Sequence, residues 1–318
     1  MTAVVAQTGP DVGVPWHYGD PMREQRRLDA GEGVVDLSHR GVITVAGPDR
    51  LSWLHSLTTQ HLERLEPGRG VTTLVLSPHG HIEFVLYGVD DGATFWAHTE
   101  PGKAAALAGW LDGMRFLMRV EVSDKSSEYA VVWSAEQLPG DHLVRSGPDS
   151  LGGRELFVRR DGLEDAMNLG PRAGTWALEA RRIAAGIPRI GLDTDHRTIP
   201  NEIGLLGAAV HLDKGCYRGQ ETVARVHNLG RPPRRLVRLH LDGSADALPT
   251  PGAELELDGR AVVGFVGGSA RHFELGPIAL GLIKRGTPMD AQLSVEGIAA
   301  AQEPLVDPEI GLHVRPSL

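Results

Sequence analysis

The chemistry-bearing stretch of this chain is D-K-G-C-Y-R-G-Q-E-T-V-A-R, residues 213–225, which holds the only cysteine among 318 residues. Cys216 lies between two glycines and close to Lys214 and Arg218, whereas a cysteine of a hydrophobic core has apolar neighbours. The pattern predicts a helix over about 219–228, so the thiol would lie just before a helix N-terminus. The helix dipole and cationic side chains both favour a thiolate, which indicates a reactive or ligand-binding cysteine.

The same stretch also admits a purely structural interpretation. Gly215 and Gly219 would then only make a tight loop, with Cys216 packed against Tyr217. Glu221, in the first turn of the predicted helix, competes with a thiolate for the helix dipole. No histidine–cysteine–acid spacing accompanies the thiol, which argues against a hydrolase.

Composition and charge narrow the classes of function. A net charge of −9 argues against a protein that wraps nucleic acid, because such proteins need a basic field. A single cysteine excludes an internal disulfide, cannot by itself hold an iron–sulfur cluster, and suits a reducing cytoplasm. The N-terminus, M-T-A-V-V-A-Q-T-G-P, lacks the basic and apolar regions of a signal peptide, and no apolar run is long enough to span a bilayer. We therefore expect a cytoplasmic protein without a membrane partner.

The elements that must position the cysteine stretch mix strands and helices. They lack the steady alternation of a Rossmann fold and its glycine fingerprint, so the predicted class is α+β. Thr175 is a good N-cap for the helix W-A-L-E-A-R-R-I-A-A, which Gly186 closes. The Gly/Asp-rich segment 190–214 is predicted to be a long irregular loop. Little regular structure is expected over residues 1–32, and the six tryptophans are expected in the core.

The kind of predicted element changes after R-P-P-R-R, residues 231–235. This stretch is predicted to be a linker, because its two prolines stiffen the chain. Only short strands come after it, so residues 236–318 are predicted to form a small antiparallel β-barrel or sandwich. Arg231, Arg234 and Arg235 form the one basic cluster of the sequence, and we expect it to pair with acidic side chains rather than with RNA.

K-G-C-Y-R-G-Q-E, residues 214–221, resembles the signature K-G-C-[YF]-x-G-Q-E of the YgfZ family. That family is the folate-binding branch of the aminomethyltransferase, or glycine-cleavage T-protein, superfamily, and it is linked to iron–sulfur cluster assembly and repair. Further segments that resemble the family are V-D-L-S-H-R-G-V-I-T-V-A-G-P-D-R-L-S-W-L-H-S-L-T-T-Q, A-R-R-I-A-A-G-I-P-R-I-G-L-D-T-D with T-I-P-N-E, and G-F-V-G-G-S-A with G-P-I-A-L-G. The resemblance runs from about residue 34 to the end.

The resemblance implies a multi-domain, T-protein-like ring with a C-terminal antiparallel β-barrel. Residues 1–235 would be a folate-binding-like α+β region with an inserted ferredoxin-like part over about 46–130, and residues 236–318 would be the barrel. Tetrahydrofolate or a derivative would enter a central hole, where a carboxylate meets the pterin N–H groups and a cation meets the glutamate tail. The implied folate contacts are Glu179, Arg182, Glu202, Gly215, Gly219 and Arg225.

The resemblance implies that Cys216 is the reactive residue. Its thiol would contact an iron–sulfur client or assembly protein, a cluster intermediate or a one-carbon adduct. Effects on tRNA modification would be indirect. Lys214 and Arg218 would hold the charge of the thiol, and the two flanking glycines would allow close backbone approach. The loop would be positioned by Tyr217, Gln220 and Glu221.

Two positions depart from the aminomethyltransferase pattern. T-proteins carry an aspartate needed for aminomethyl transfer in G-G-I-x-D-D, whereas the matching G-H-I-E-F-V, residues 80–85, offers only Glu83. On a strand Glu83 would point away from the face of Ile82 and Phe84. The superfamily's central helix usually reads R-I-E-A-G, but here Ala184 replaces that glutamate.

These departures leave two alternatives to the accessory protein. One is a folate-dependent one-carbon transferase or demethylase acting on an unknown amine, and the other is a folate-independent protein–protein module. No metal site is predicted, because His79 and His81 flank Gly80 without a third ligand nearby in the sequence.

Overall fold

The computed structural model describes residues 2–312, and these residues form two compact units. Within the described residues, the first unit comprises residues up to 75, residues 83–178 and residues 209–217. The second comprises residues 76–82, residues 179–208 and residues from 218 onward. Both units are therefore assembled from segments distant in sequence. No described helix is both long and apolar enough to cross a membrane.

The N-terminal segment is ordered, so the expectation of little regular structure over residues 1–32 is wrong. It contains strands β1 (Val4–Val5) and β2 (Pro15–His17) and helix α1 (Pro21–Asp29). The Asp20 side chain accepts the N–H of Arg23 at 3.0 Å and Pro21 occupies the first turn, which together start the helix. The helix is held in place by Leu28, which is fully buried.

Two five-stranded sheets of the described chain form most of the rest of the first unit. The strand order is β10-β11-β9-β3-β12 in the first sheet and β5-β6-β7-β4-β8 in the second. The first sheet contains β3 (Val34–Asp36), β9 (Tyr129–Ser134), β10 (Leu143–Arg145), β11 (Arg154–Arg159) and β12 (Arg172–Ala173). The second contains β4 (Gly41–Ala46), β5 (Gly70–Leu76), β6 (Ile82–Asp90), β7 (Thr94–Thr99) and β8 (Glu121–Asp124).

Four helices lie between or after these strands in the sequence. They are α2 (Arg50–Leu57), α3 (Ala104–Gly113), α4 (Leu163–Met167) and α5 (Thr175–Ala184). Leu54 of α2 and Leu107 of α3 are fully buried in a core shared with Ile43 and Phe95 of the second sheet. Helix α5 begins at Thr175, one residue before the predicted start at Trp176, so the predicted helix is confirmed but Thr175 is its first residue rather than its N-cap.

The second unit contains helix α6 (Gln220–Leu229), which confirms the predicted helix within one residue at each end. The predicted C-terminal barrel is also confirmed, as a closed antiparallel barrel of six described strands in the order β13-β16-β15-β14-β17-β18. The strands are β13 (Arg234–Leu241), β14 (Glu254–Leu257), β15 (Ala261–His272), β16 (Gly276–Lys284), β17 (Leu293–Val295) and β18 (Ile298–Pro304).

The predicted linker ends earlier than expected, because Arg234 and Arg235 already belong to strand β13. Arg235 is fully buried and donates to the carbonyls of Arg285 and Thr287, so it has an interior rather than a linker role. The expectation for the tryptophans is confirmed for Trp53 and Trp133, which are buried, and is wrong for Trp16, which is 41% exposed.

Candidate functional site

The first half of the K-G-C-Y stretch is held by a buried lysine. Lys214 lies in the first unit, is 7% exposed, and donates to the backbone carbonyls of His55, Thr58 and Gln60, the last at 3.1 Å. An ammonium has three N–H donors, so three carbonyls take them all. Because these carbonyls lie at the C-terminal end of helix α2 and just beyond it, the charge also meets the negative end of the helix dipole.

The charge of Lys214 is shielded further by an aromatic ring. Its Nζ lies 5.1 Å from the ring centroid of Tyr217, which is itself buried. Burial lowers the pKa of Lys214 to about 8 and raises the pKa of Tyr217 to about 12. At neutral pH the ammonium and the neutral phenol therefore predominate. Lys214 anchors the loop, and its predicted role in holding the charge of the thiol stays a prediction.

A Lys214→Met variant is expected to lose about 1–3 kcal/mol of the free energy of unfolding, because it leaves buried carbonyls without their donor. Denaturant titration measures this loss, and limited trypsin digestion should also cut faster after Arg218 as the loop loosens. The matched control is Lys125→Met, since that ammonium pairs with the exposed Glu128 and its loss should leave stability nearly unchanged. Equal stability of wild type and Lys214→Met would show that the anchor is not needed.

The thiol of Cys216 is exposed, between the buried Lys214 and Tyr217. The alternative in which Cys216 packs into a core against Tyr217 is therefore wrong. A Cβ added to Gly215 would meet no atom within 4 Å, so no steric demand of the chain itself explains that glycine. The structure thus presents the thiol to solvent from a loop whose neighbouring side chains are fixed in the interior.

The second half of the stretch begins with a glycine that the fold requires. Gly219 has φ +82° and caps helix α6, and a Cβ added to it would lie 2.5 Å from the carbonyl oxygen of Ser77. Gly80, in the turn that Ser77 begins, is also crowded, since a Cβ there would lie 2.9 Å from Thr222 Cβ. The backbone at Gly219 therefore lies close to the backbone of this turn, and both belong to the second unit.

Glu202 is buried and already paired. It lies in a 3₁₀ turn, Pro200–Ile203, where its Oε2 accepts the N–H of Ile199 at 3.0 Å. Its carboxylate also accepts from Arg234 at 2.8 and 2.9 Å, and the same guanidinium reaches Asp195 at 2.7 Å. The predicted pairing with acidic side chains is thus confirmed for Arg234, whereas Arg235 donates to backbone carbonyls instead.

Glu179 and Arg182 meet, but not at the surface. Burial by itself lowers the pKa of Arg182, but Asp193 and Glu179 outweigh it and hold the pKa above its usual range. Its Nη1 donates to Asp193 at 2.7 Å and its Nη2 to Glu179 at 2.8 Å, while Arg189 approaches Glu179 at 3.3 Å. Glu179 and Arg182, three positions apart on helix α5, therefore pair within a network that also contains Asp193 and Arg189.

This network explains the paired glycines of G-F-V-G-G-S-A in strand β15. Asp193 accepts the N–H of Gly268 at 2.6 Å. A Cβ on Gly267 would lie 2.1 Å from Asp193 Oδ1, and one on Gly268 would lie 2.5 Å from Arg182 Nη2. Asp193 was not singled out from the sequence, although the G-L-D-T-D segment that carries it was.

The remaining predicted residues lie at the start of helix α6 or along it. Glu221 and Arg225 are exposed, and Arg218 and Gln220 are half-buried.

On strand β6, Ile82 is buried while Glu83 is exposed, as the strand alternation predicted. The rings of His79 and His81 have centroids 6.1 Å apart. The ligand and catalytic roles predicted for these residues, and for the other residues of the stretch, stay predictions.

Comparison with known proteins extends the resemblance over most of the chain. Residues 2–133 match the family model of the GCVT N-terminal domain. A chloroplastic protein of Arabidopsis thaliana, named as a transferase, is 26% identical over an alignment of 316 residues. The alignment covers 86% of this chain and 71% of that one. It is 26% identical to the aminomethyltransferase of Nostoc sp. over 325 residues, covering 88% of this chain and 85% of that one. The aminomethyltransferase of Streptomyces coelicolor is 26% identical over 329 residues, covering 90% and 86%.

A solved structure shares the fold. The crystal structure of the glycine cleavage system aminomethyltransferase T from Bartonella henselae matches with a TM-score of 0.81, over 97% of this chain and 95% of that one, at 18% identity. This similarity confirms the mixed α/β T-protein fold with its C-terminal barrel. Together the comparisons support a relationship to the T-protein superfamily.

Proposed function

We propose that this protein is a YgfZ-like accessory protein that acts in the cytoplasm on the assembly or repair of iron–sulfur enzymes, with indirect effects on tRNA modification. The proposal is supported by the match of residues 214–221 to the K-G-C-[YF]-x-G-Q-E signature. It is also supported by the T-protein fold, since that family is a branch of the same superfamily. Cys216 is the reactive residue in this proposal.

The observation that carries the proposal is the exposure of the sole thiol on an anchored loop. Lys214 and Tyr217 are buried on either side of Cys216, so the loop has little freedom to bury the thiol. A protein that uses a thiol against a partner or a cluster intermediate needs the sulfur accessible and its backbone fixed. The arrangement meets both requirements.

Tetrahydrofolate or a derivative is the cofactor that the resemblance implies, and the relatives named as aminomethyltransferases support it. Three of the implied contacts fit poorly, however. Glu179 and Arg182 are paired within one buried network, and Glu202 is paired with Arg234. None of the three is presented for a pterin, so we derive no step through folate, and folate binding in the proposal rests on the resemblance. Arg225 remains an exposed candidate for an anionic tail.

The test is complementation. In a bacterial strain lacking its own YgfZ-like protein, expression of this chain should raise the activity of an iron–sulfur enzyme toward the level of the parent strain. The control is an iron-free enzyme of the same extract, whose activity should not change. If the chain is expressed and folded but the iron–sulfur enzyme stays at the level of the deficient strain, the proposal is wrong.

A second candidate is a folate-dependent one-carbon transferase or demethylase. It is favoured by the relatives named as aminomethyltransferases, which match 88% and 90% of this chain. Glu83 is the acid that this activity would use. Formation of methylene-tetrahydrofolate from tetrahydrofolate and an aminomethyl donor, with release of ammonia and with loss of the activity in Glu83→Ala, would support this candidate over the accessory role.

A further inference from the structure

A second cluster of ligand-type side chains lies in the first unit, outside the residues discussed above. His55 of helix α2 is grouped with His61 and Glu63 of the loop that follows, and one ligand atom from each lies within 4.8 Å of the others. The rings of His55 and His61 have centroids 4.7 Å apart. In the part of the chain that the structure describes, this is the one group of three or more such residues.

A third imidazole stands next to this group. The ring centroid of His211 lies 5.4 Å from that of His61. The two loops are tied together by the backbone, since His211 N–H donates to the Thr59 carbonyl at 3.0 Å and Thr59 Oγ1 donates to the Ala209 carbonyl at 2.7 Å. The imidazoles are therefore brought together by fixed backbone rather than by side-chain mobility.

We propose that His55, His61 and Glu63 form a binding site for a divalent transition-metal ion of the Zn²⁺ type. Two imidazoles and one carboxylate are a donor set that such ions accept, and water would fill the open position. This site is independent of the iron–sulfur role proposed above, and it differs from the His79–His81 pair considered from the sequence.

One cation stands next to this group. The ammonium of Lys214 would repel a metal ion, but its N–H groups are directed to the backbone carbonyls of His55, Thr58 and Gln60.

Two costs accompany binding. Ligand atoms of a tetrahedral zinc site lie roughly 3.4 Å apart, as follows from bond lengths of about 2.0–2.1 Å, so ligand atoms that lie within 4.8 Å of one another must approach by up to about 1.4 Å. Glu63 is exposed and can make such a movement. The N–H of Leu62 donates to His55 Nδ1 at 3.3 Å. Whichever nitrogen takes the metal, that contact is lost, because Nδ1 either binds the ion or carries the proton that Nε2 gives up. A hydrogen bond this long is weak, so its loss is small beside a metal–ligand bond.

The experiment is a titration of the untagged, metal-free full chain with Co²⁺, followed by visible absorption, and then displacement by Zn²⁺. We expect one equivalent to bind. His61→Ala should weaken binding at least about tenfold, because loss of even an outer partner of a metal ligand costs that much. Two matched controls, His81→Ala and Cys216→Ser, should bind as wild type does.

Each other result would overturn the proposal. Absence of one-to-one binding by the wild type would exclude the site, and unchanged affinity of His61→Ala would exclude its ligands. Loss of binding in His81→Ala would assign the metal to the His79–His81 turn, and loss in Cys216→Ser would assign it to the thiol. Far-ultraviolet circular dichroism of the His61→Ala variant should match the wild type, so that weaker binding is not a folding defect; Glu63→Gln, at an exposed position, provides the second ligand variant.

Discussion

A Cys216→Ala variant is expected to lose all support of iron–sulfur enzymes while keeping the stability of the wild type. The thiol is exposed, so removing its sulfur leaves no cavity and no unpaired buried group. It is the only thiol of the chain, so no neighbouring cysteine can replace it. The measurement is the activity of an iron–sulfur enzyme in the complemented strain, set beside thermal unfolding of the purified variant.

Two further variants sharpen that result. Cys216→Ser keeps the size of the side chain but not its sulfur chemistry, and we expect it to fail as Cys216→Ala does. Lys125→Met, the control variant used above, keeps the thiol and lies outside the proposed site, so it should retain the activity of the wild type. Full activity of Cys216→Ala would remove the thiol from the proposed function.

An Arg145→Met variant is expected to lose about 3–5 kcal/mol of the free energy of unfolding, because it leaves a buried carboxylate without its counter-charge. The guanidinium of Arg145 is completely buried in the first unit and donates to Glu155 and, at 2.6 Å, to Asp149. His98 Nε2 lies 3.2 Å from Glu155 on the other side, and burial lowers the pKa of His98, so this ring does not supply the missing charge. Denaturant titration at neutral pH measures the loss.

The control for this variant is Arg119→Met. Arg119 also pairs with a carboxylate, Asp49, but its side chain is 72% exposed, so its removal should leave the free energy of unfolding nearly unchanged. If Arg145→Met is as stable as Arg119→Met, the buried network does not stabilise the first unit.

The same network sets a dependence of stability on pH. Burial by itself raises the pKa of Glu155, but the adjacent guanidinium of Arg145 outweighs it and holds the pKa well below its usual range. A carboxyl whose pKa is lower in the folded state stabilises the fold above its unfolded pKa, about 4.3, and loses that contribution as the pH falls further. Stability should therefore fall below about pH 4.3, and less steeply in Glu155→Gln than in the wild type.

Local patterns in the sequence were enough to predict the regular elements near the site. The helix at Gln220 and the helix at Thr175 follow from glycine and N-cap signals, and the barrel follows from a run of short strands. The N-terminal helix was missed although Asp20 and Pro21 carry the same kind of signal. The linker was placed too far along the chain because a strand can begin directly after a proline, as β13 does at Arg234.

The partners of the site residues were beyond sequence reasoning, because they depend on contacts between distant segments. Lys214 was expected to serve the thiol two residues away, but its N–H groups meet carbonyls at His55, Thr58 and Gln60. The sequence also does not show which side chains pack against its glycines. Gly268, for example, is packed closely against Arg182, which is distant in the sequence. The cluster of His55, His61 and Glu63 escaped notice for a related reason, because His55 is placed by a helix and the others by a loop.

The most direct test of the folate-binding part of the proposal, which rests on the resemblance, is calorimetric titration of the purified chain, kept anaerobic, with tetrahydrofolate and 5-formyl-tetrahydrofolate. Glu179→Ala and Cys216→Ala are titrated beside it. The resemblance predicts binding of one equivalent by the wild type. Binding should be retained in Cys216→Ala, because the thiol is assigned to a partner, and in Glu179→Ala, because that carboxylate is already paired with Arg182. Absence of binding at high folate concentration would contradict the folate-binding part of the proposal and leave a protein–protein module at the K-G-C-Y-R-G-Q-E loop.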